Sequence, residues 1–136
     1  MSDALQNREC LILIAHGSKD PRWRLPFEQL VLSVLTELGE DQSSEGRVRL
    51  AYMEFVEPTL MNVARTCVEH GVLRLQILPL FLAMGAHLAT DIPRQAGEVR
   101  AQFPGLQVEV LTPIGEDPRI ARLMQQIVLE VLGPKP

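Results

Sequence analysis

Cys10-Leu11-Ile12-Leu13-Ile14-Ala15 is an unbroken apolar run that stops abruptly on His16-Gly17-Ser18. A strand wetted on one face alternates apolar and polar residues, whereas one covered on both faces of a parallel sheet is apolar throughout. The run therefore predicts the first strand of a parallel α/β sheet. Further strands are predicted at residues 48–53, 72–78 and 107–111, each separated from the next by an amphipathic segment. After the first strand, Phe27, Leu30, Val31, Val34, Leu35 and Leu38 recur at the spacing of one helix face, and Gly39 supplies the stop.

The polar stretch 40–46 reads as a surface connection. Pro58 is expected at the first helical position of a second helix, whose stripe is Leu60, Val63, Ala64, Cys67 and Val68, ending at Gly71. A third helix opens within residues 87–93, turns Leu88, Ile92, Ala96, Val99 and Phe103 inward, and breaks at Pro104-Gly105. Asp117 caps the last helix with Pro118 in its first turn, and Ile120, Leu123, Met124, Ile127, Val128, Val131 and Leu132 form the stripe. The fold class is α/β: a four-stranded parallel sheet with helices on both faces, (βα)4 in order. The 136 residues make one domain, with residues 1–9 a flexible N-terminus and 133–136 a tail.

Composition narrows the function classes. Apolar residues make up 46% and charged residues 22%, the balance of a compact globular chain. Net charge is −4 with scattered arginines and few aromatics, so neither a phosphate backbone nor stacked bases find a surface, and nucleic acid is excluded as a partner. Cys10 and Cys67 form no CxxC pair and read as reduced, buried thiols. No apolar run is long enough for a signal-peptide core or a membrane span, so a cytoplasmic protein with no membrane partner is expected.

In such a sheet ligands bind beyond the carboxyl ends of the strands. There the sequence places His16-Gly17-Ser18, then Glu54 and Glu57, then an apolar connection, Pro79 to Ala86, ending in His87. Imidazole and carboxylate together suit a borderline divalent cation and also proton transfer near neutral pH. Each has an ordinary reading as well: Glu54 as a solvated strand-end carboxylate, Glu57 as a cap, His70 as a helix-end residue. Asp91, four residues after His87, either orients that imidazole or caps the helix. The apolar connection is either core or the wall of a site for a large flat ligand. No GxGxxG, GxxxxGK[ST] or GxSxG motif is present, and Ala15 precedes His16 where histidine phosphatases carry arginine.

The ordered set Leu11–His16-Gly17-Ser18, Met53-Glu54 with Glu57-Pro58-Thr59-Leu60, Pro79-Leu80-Phe81-Leu82 with Gly85, His87 and Asp91-Ile92-Pro93, and Pro113-Ile114-Gly115-Glu116-Asp117-Pro118 resembles the small CbiX-type sirohydrochlorin chelatases, class II tetrapyrrole chelatases. The resemblance implies a lyase that inserts Co2+ or Fe2+, with Ni2+ also admissible, into sirohydrochlorin without ATP, on the way to cobalamin or sirohaem. The metal is then a substrate and no cofactor is tightly bound. It implies His16 and His87 as catalytic and metal-binding residues and Glu54 as a further acceptor or ligand. Lys19 stands where an arginine is common in the family. Ser18, Lys19, Arg22, Arg24 and Arg94 become candidates for the substrate's carboxylates, and Phe81, Leu82 and Met84 for its ring face. Larger relatives close a cleft between two similar halves, so a homodimer is expected of a chain that supplies one half. The competing readings are a non-catalytic tetrapyrrole or metal carrier using the same edge, and a phosphotransfer enzyme with His16 as nucleophile.

Overall fold

The computed structural model describes residues 9–40 and 46–134. The chain-end readings at 1–8 and 135–136, and residues 41–45 of the polar connection, lie outside the described residues. Glu9, expected in a flexible terminus, instead opens the first strand, β1 (Glu9–Ala15). The remaining elements are α1 (Pro21–Leu38), β2 (Val48–Tyr52), α2 (Leu60–Glu69), β3 (Arg74–Pro79), α3 (Ala86–Gln102), β4 (Gln107–Val110), a 3-10 turn (Ile114–Glu116) and α4 (Pro118–Leu132). The four strands form one sheet in the order β2-β1-β3-β4, every pairing parallel. β1 is interior: Leu13 sits opposite Leu50 of β2 and Leu78 of β3.

Side chains alternate across the sheet and build two cores of unequal size. Ile12, Ile14, Leu75 and Ile77 face α2 and α3, where Leu60, Val63, Cys67, Ile92, Ala96 and Val99 complete the larger cluster. Leu13, Leu35 and Val48 centre the smaller one under α1. Each large aliphatic side chain so buried contributes about 1.5–3 kcal/mol, so most of the stabilisation lies on the α2–α3 face. α1 buries less than its periodicity predicts. Leu35 is its one buried residue, while Leu30 and Leu38 remain 39% and 42% exposed.

Local signals explain the helix ends. Asp20 caps α1 by accepting from the Arg22 N–H, and Gly39 closes it in the left-handed region at φ 73°. At α2 the expected start is corrected. Pro58 precedes the helix, its peptide bond with Glu57 is cis, and Thr59 and Asn62 form a reciprocal capping box. Glu57 is therefore no cap. His70 ends α2, with its Nδ1 2.8 Å from the Thr66 carbonyl, as a helix-end residue should. α3 begins at Ala86 after Gly85, so His87 lies in its first turn, and both Asp91 and Pro93 are interior. Asp91 is thus excluded as the cap.

The largest departure is α4. Asp117 caps it as expected, and hydrogen bonds from Arg119 hold the Asp117 carboxyl down at about 2. The helix packs on the 3-10 turn and buries none of its residues. Its apolar stripe, expected to face the core, lies in the open.

The two thiols are in the large core, Cys10 3% exposed and Cys67 fully buried. A hydrogen bond with the Cys67 thiol and burial together push the Cys10 thiol far above its ordinary range. Thiolate is the reactive form. The same contact lowers the Cys67 thiol, so exclusion from solvent is what protects it. Neither cysteine should react with a thiol-specific dye on the folded protein at pH 8, and both should react once denaturant unfolds it; a fast phase before unfolding would contradict this packing.

Candidate active site at the carboxyl edge of the sheet

His16 leaves β1 where the main chain is stitched to the neighbouring strand exit. The Met53 N–H donates to the Ala15 carbonyl (2.9 Å) and the Glu54 N–H to the His16 carbonyl (3.2 Å). Gly17 then turns at φ 97° against the Glu54 carbonyl, where a β-carbon would collide with backbone. The parallel register thus brings His16 and Glu54 together from positions 38 residues apart, with His16 Nε2 3.3 Å from Glu54 Oε1 and both side chains about half exposed. His16 Nδ1 lies 3.2 Å from the Gly17 carbonyl. With Glu54 ionised, both neighbours only accept, so both contacts are hydrogen bonds at once when each ring nitrogen carries a proton.

His87 sits one strand away, on the connection leaving β3. Its Nε2 is 2.8 Å from Asp91 Oδ2, one helical turn on, and the side chain is 73% exposed. Asp91 thereby takes the orienting role, and its second oxygen faces Arg94 Nη2 at 3.4 Å. Donation from Nε2 to Asp91 leaves the Nδ1 lone pair free, and among the described residues Nδ1 has no hydrogen-bond partner. His16 and His87 share the sheet edge, but the two cavities that His16 lines here do not include His87. Among the described residues, no three His, Cys, Asp or Glu side chains gather around one point.

Two cavities meet at His16, Gly17 and Trp23. One, of about 530 Å3, adds Ser18, Lys19 and Phe55. The other, of about 370 Å3, adds Arg24, Tyr52, Phe81 and Leu82. The candidate cations differ in circumstance. Arg22 is held by both oxygens of Asp20, at 2.7 Å from Nη2 and 3.1 Å from Nε. Arg94 is engaged by Asp91 and by Glu98 (2.8 Å). Lys19 is exposed at the rim. Arg24 alone lines the inner cavity, and its buried Nε has no partner among the described residues. Ser18 Oγ accepts from the Asp20 N–H beside the α1 cap.

The apolar connection divides between its two readings. Phe81 belongs to the large core at 9% exposed and Met84 packs against it, whereas Leu82 is 65% exposed. The loop after β4 closes on this segment: the Gly115 N–H donates to the Phe81 carbonyl (3.0 Å), and Gly115 packs so tightly on the Leu82 backbone that no β-carbon fits. Trp23 and Phe55 were not singled out from the sequence. Trp23 is 69% exposed and Phe55 59%, and the Phe55 ring lies 6.0 Å from the His16 ring on a left-handed backbone at φ 73°. An apolar residue directly after a strand-end carboxylate was the available signal for Phe55, and a tryptophan outside the helix stripe for Trp23.

Gly17 and Gly39 both have positive φ, but a β-carbon at Gly39 meets nothing. Gly39→Ala should cost about 1–2 kcal/mol of backbone strain. Gly17→Ala should cost roughly 1–3 kcal/mol more, because it adds a collision to the strain. Equilibrium denaturation of the two variants measures the difference, and equal losses would remove the close approach.

The sequence profile of the CbiX family matches residues 10–131. A relative from Methanopyrus kandleri named "Sirohydrochlorin cobaltochelatase" is 29% identical, over 90% of this chain and 96% of its own. A solved structure from Marinobacter aquaeolei VT8, titled as a CbiX protein of cobalamin (vitamin B12) biosynthesis, is 33% identical. It superposes at a TM-score of 0.78 over 91% of this chain and 97% of that one. SirB from Bacillus subtilis with Fe3+ shares the fold at 20% identity and TM-score 0.77, this chain covering 94% of itself and 48% of SirB. The profile match over most of the chain and the shared fold agree: this chain belongs to the CbiX family.

Proposed function

We propose that the protein is a sirohydrochlorin chelatase, inserting cobalt or ferrous iron into the free-base macrocycle without ATP, in cobalamin or sirohaem formation. The observation that carries the reading is the His16–Glu54 pair, 3.3 Å apart at the carboxyl edge of a CbiX-family sheet. Insertion strips water from the metal and removes two N–H protons from the ring, so the site needs a metal ligand and a proton acceptor. The two histidines divide these tasks. His16, with acceptors facing both ring nitrogens, takes a pyrrole proton, and the ionised Glu54 stabilises the resulting imidazolium. His87, oriented by Asp91, offers Nδ1 to the incoming metal.

The protein's net charge of −4 repels a carboxylate-rimmed substrate at long range, so local cations must hold it. Arg24 supports this role best, since its Nε lacks a partner and the side chain lines the inner cavity. Lys19 and Ser18 line the outer cavity, whereas Arg22 and Arg94 line neither and are held by carboxylates. Phe81, Leu82 and Met84 supply the apolar side, Leu82 being the residue with surface to give. A homodimer belongs to the same reading, because one chain spans half of SirB. The protein would act in the cytoplasm.

An anaerobic assay following tetrapyrrole absorption with Co2+ or Fe2+ tests the proposal. The protein should accelerate insertion, and His16→Ala and His87→Ala should each lower the rate at least about 100-fold, the usual range for a proton-transfer group. Excess metal should partly restore His87→Ala but not His16→Ala. Substrate binding without acceleration would establish the carrier reading instead. Arg24→Ala should weaken sirohydrochlorin binding about tenfold, the scale of a lost charge-assisted hydrogen bond. Arg22→Ala should change binding less; the reverse order would remove the assignment to Arg24.

A further inference from the structure

Of the apolar residues expected at the ring face, Phe81 and Met84 are taken up by the large core, and Leu82 alone keeps free surface. Two aromatic side chains with more to offer stand around His16. Trp23 and Phe55 line the outer cavity with it, 69% and 59% exposed. Large aromatic side chains gain much from burial, so leaving two of them in water beside one histidine is a cost that a flat, apolar-faced ligand would offset.

Main chain holds both in place. Trp23 lies in the first turn of α1, its N–H donating to the Asp20 carbonyl (3.0 Å) of the capping residue. Phe27, one turn on and on the same side of the helix, is half-buried in the inner cavity, and Trp23 borders both cavities. Phe55 sits in the short loop between Tyr52 and Thr59, which a bridge between those two residues closes, the Tyr52 N–H donating to the Pro58 carbonyl (2.9 Å). Among the described residues Phe55 is the one non-glycine in the left-handed region, at φ 73°. A bulky side chain is strained there and glycine is not. Strain of this kind persists where the surroundings enforce it, and it concentrates at ligand sites. The Phe55 ring lies 6.0 Å from the His16 imidazole at a tilt of 41°, and among the described residues no ring contact joins it to Trp23.

We propose that Trp23 and Phe55 are the macrocycle's ring-face contacts, two aromatic walls that select a flat conjugated ring and hold its nitrogens at His16. Conjugated rings and aromatic side chains attract one another in offset or edge-to-face contact, beyond the area they bury. Ser18 and Lys19 line the same cavity and are polar, which suits the ring's carboxylate periphery. The cavity thus joins aromatic faces, a proton acceptor and a polar rim. The inference rests on the ligand being a macrocycle, as proposed above, and not on metal insertion. It adds selection by ring shape and conjugation to the selection by charge assigned to Arg24.

Anaerobic calorimetry with two probes separates the two kinds of selection. One is an octacarboxylic porphyrin, flat and fully conjugated; the other is the porphyrinogen made by reducing it, which keeps every carboxylate on a puckered, unconjugated ring. The native protein should bind the porphyrin about tenfold more tightly than the porphyrinogen. Trp23→Leu should weaken porphyrin binding about fivefold and leave porphyrinogen binding unchanged, whereas Trp23→Phe should keep most of the native affinity. Phe55→Gly should weaken porphyrin binding as Trp23→Leu does, while its thermal midpoint stays level or rises because glycine relieves the backbone. Equal affinity for the two rings, or porphyrin binding untouched by either Trp23→Leu or Phe55→Gly, would overturn the aromatic walls and leave the macrocycle reading standing. A native protein that binds neither ring would sink both.

Discussion

Ile12 and Ile14 of β1 are wholly withdrawn from solvent, and the backbone amides and carbonyls between them must be paired inside the protein. With β2 on one side and β3 on the other, that demand is met by two parallel ladders. Parallel pairing aligns the strand exits along one edge, so the groups that follow β1, β2 and β3 emerge as neighbours whatever their distance in sequence. The His16–Glu54 approach is the nearest result. Gly17 is what allows it, since a side chain there would separate the two exits.

Two histidines of identical chemistry acquire different capacities from what their ring nitrogens face. His16 meets an acceptor at each nitrogen and is suited to holding a proton. His87 is tethered at one nitrogen by a carboxylate on its own helix and keeps the other free. The proposed division of labour depends on this asymmetry, which is set by main-chain geometry at one position and by helical periodicity at the other.

Much of this was legible in the sequence because it is local or periodic. The CLILIA run, the Asp117 cap and the inward stripe of α3 each depend on a few neighbouring residues, and each stands as read. The i, i+4 relation of His87 and Asp91 was legible for the same reason. What failed depends on placement in three dimensions. The α1 and α4 stripes have correct helical spacing, but spacing does not say whether a surface lies opposite. Pro58 reads as a helical first residue by propensity, yet the capping box at Thr59 decides the start. Phe55 and Trp23 escaped notice because exposure near a site leaves no periodic trace.

Cys10 is the second residue of β1 and Cys67 lies in the last turn of α2, so both thiols lie at the amino end of the sheet, across the core from His16 and His87. Thiolate is a soft, strongly retaining ligand for transition metals, whereas imidazole and carboxylate release them more readily. Keeping both thiols sealed away from the edge where metal is handled means that an ion arriving there meets no thiolate. Such an edge can surrender its cargo, because the one ligand type in the chain able to trap it has no route to the surface.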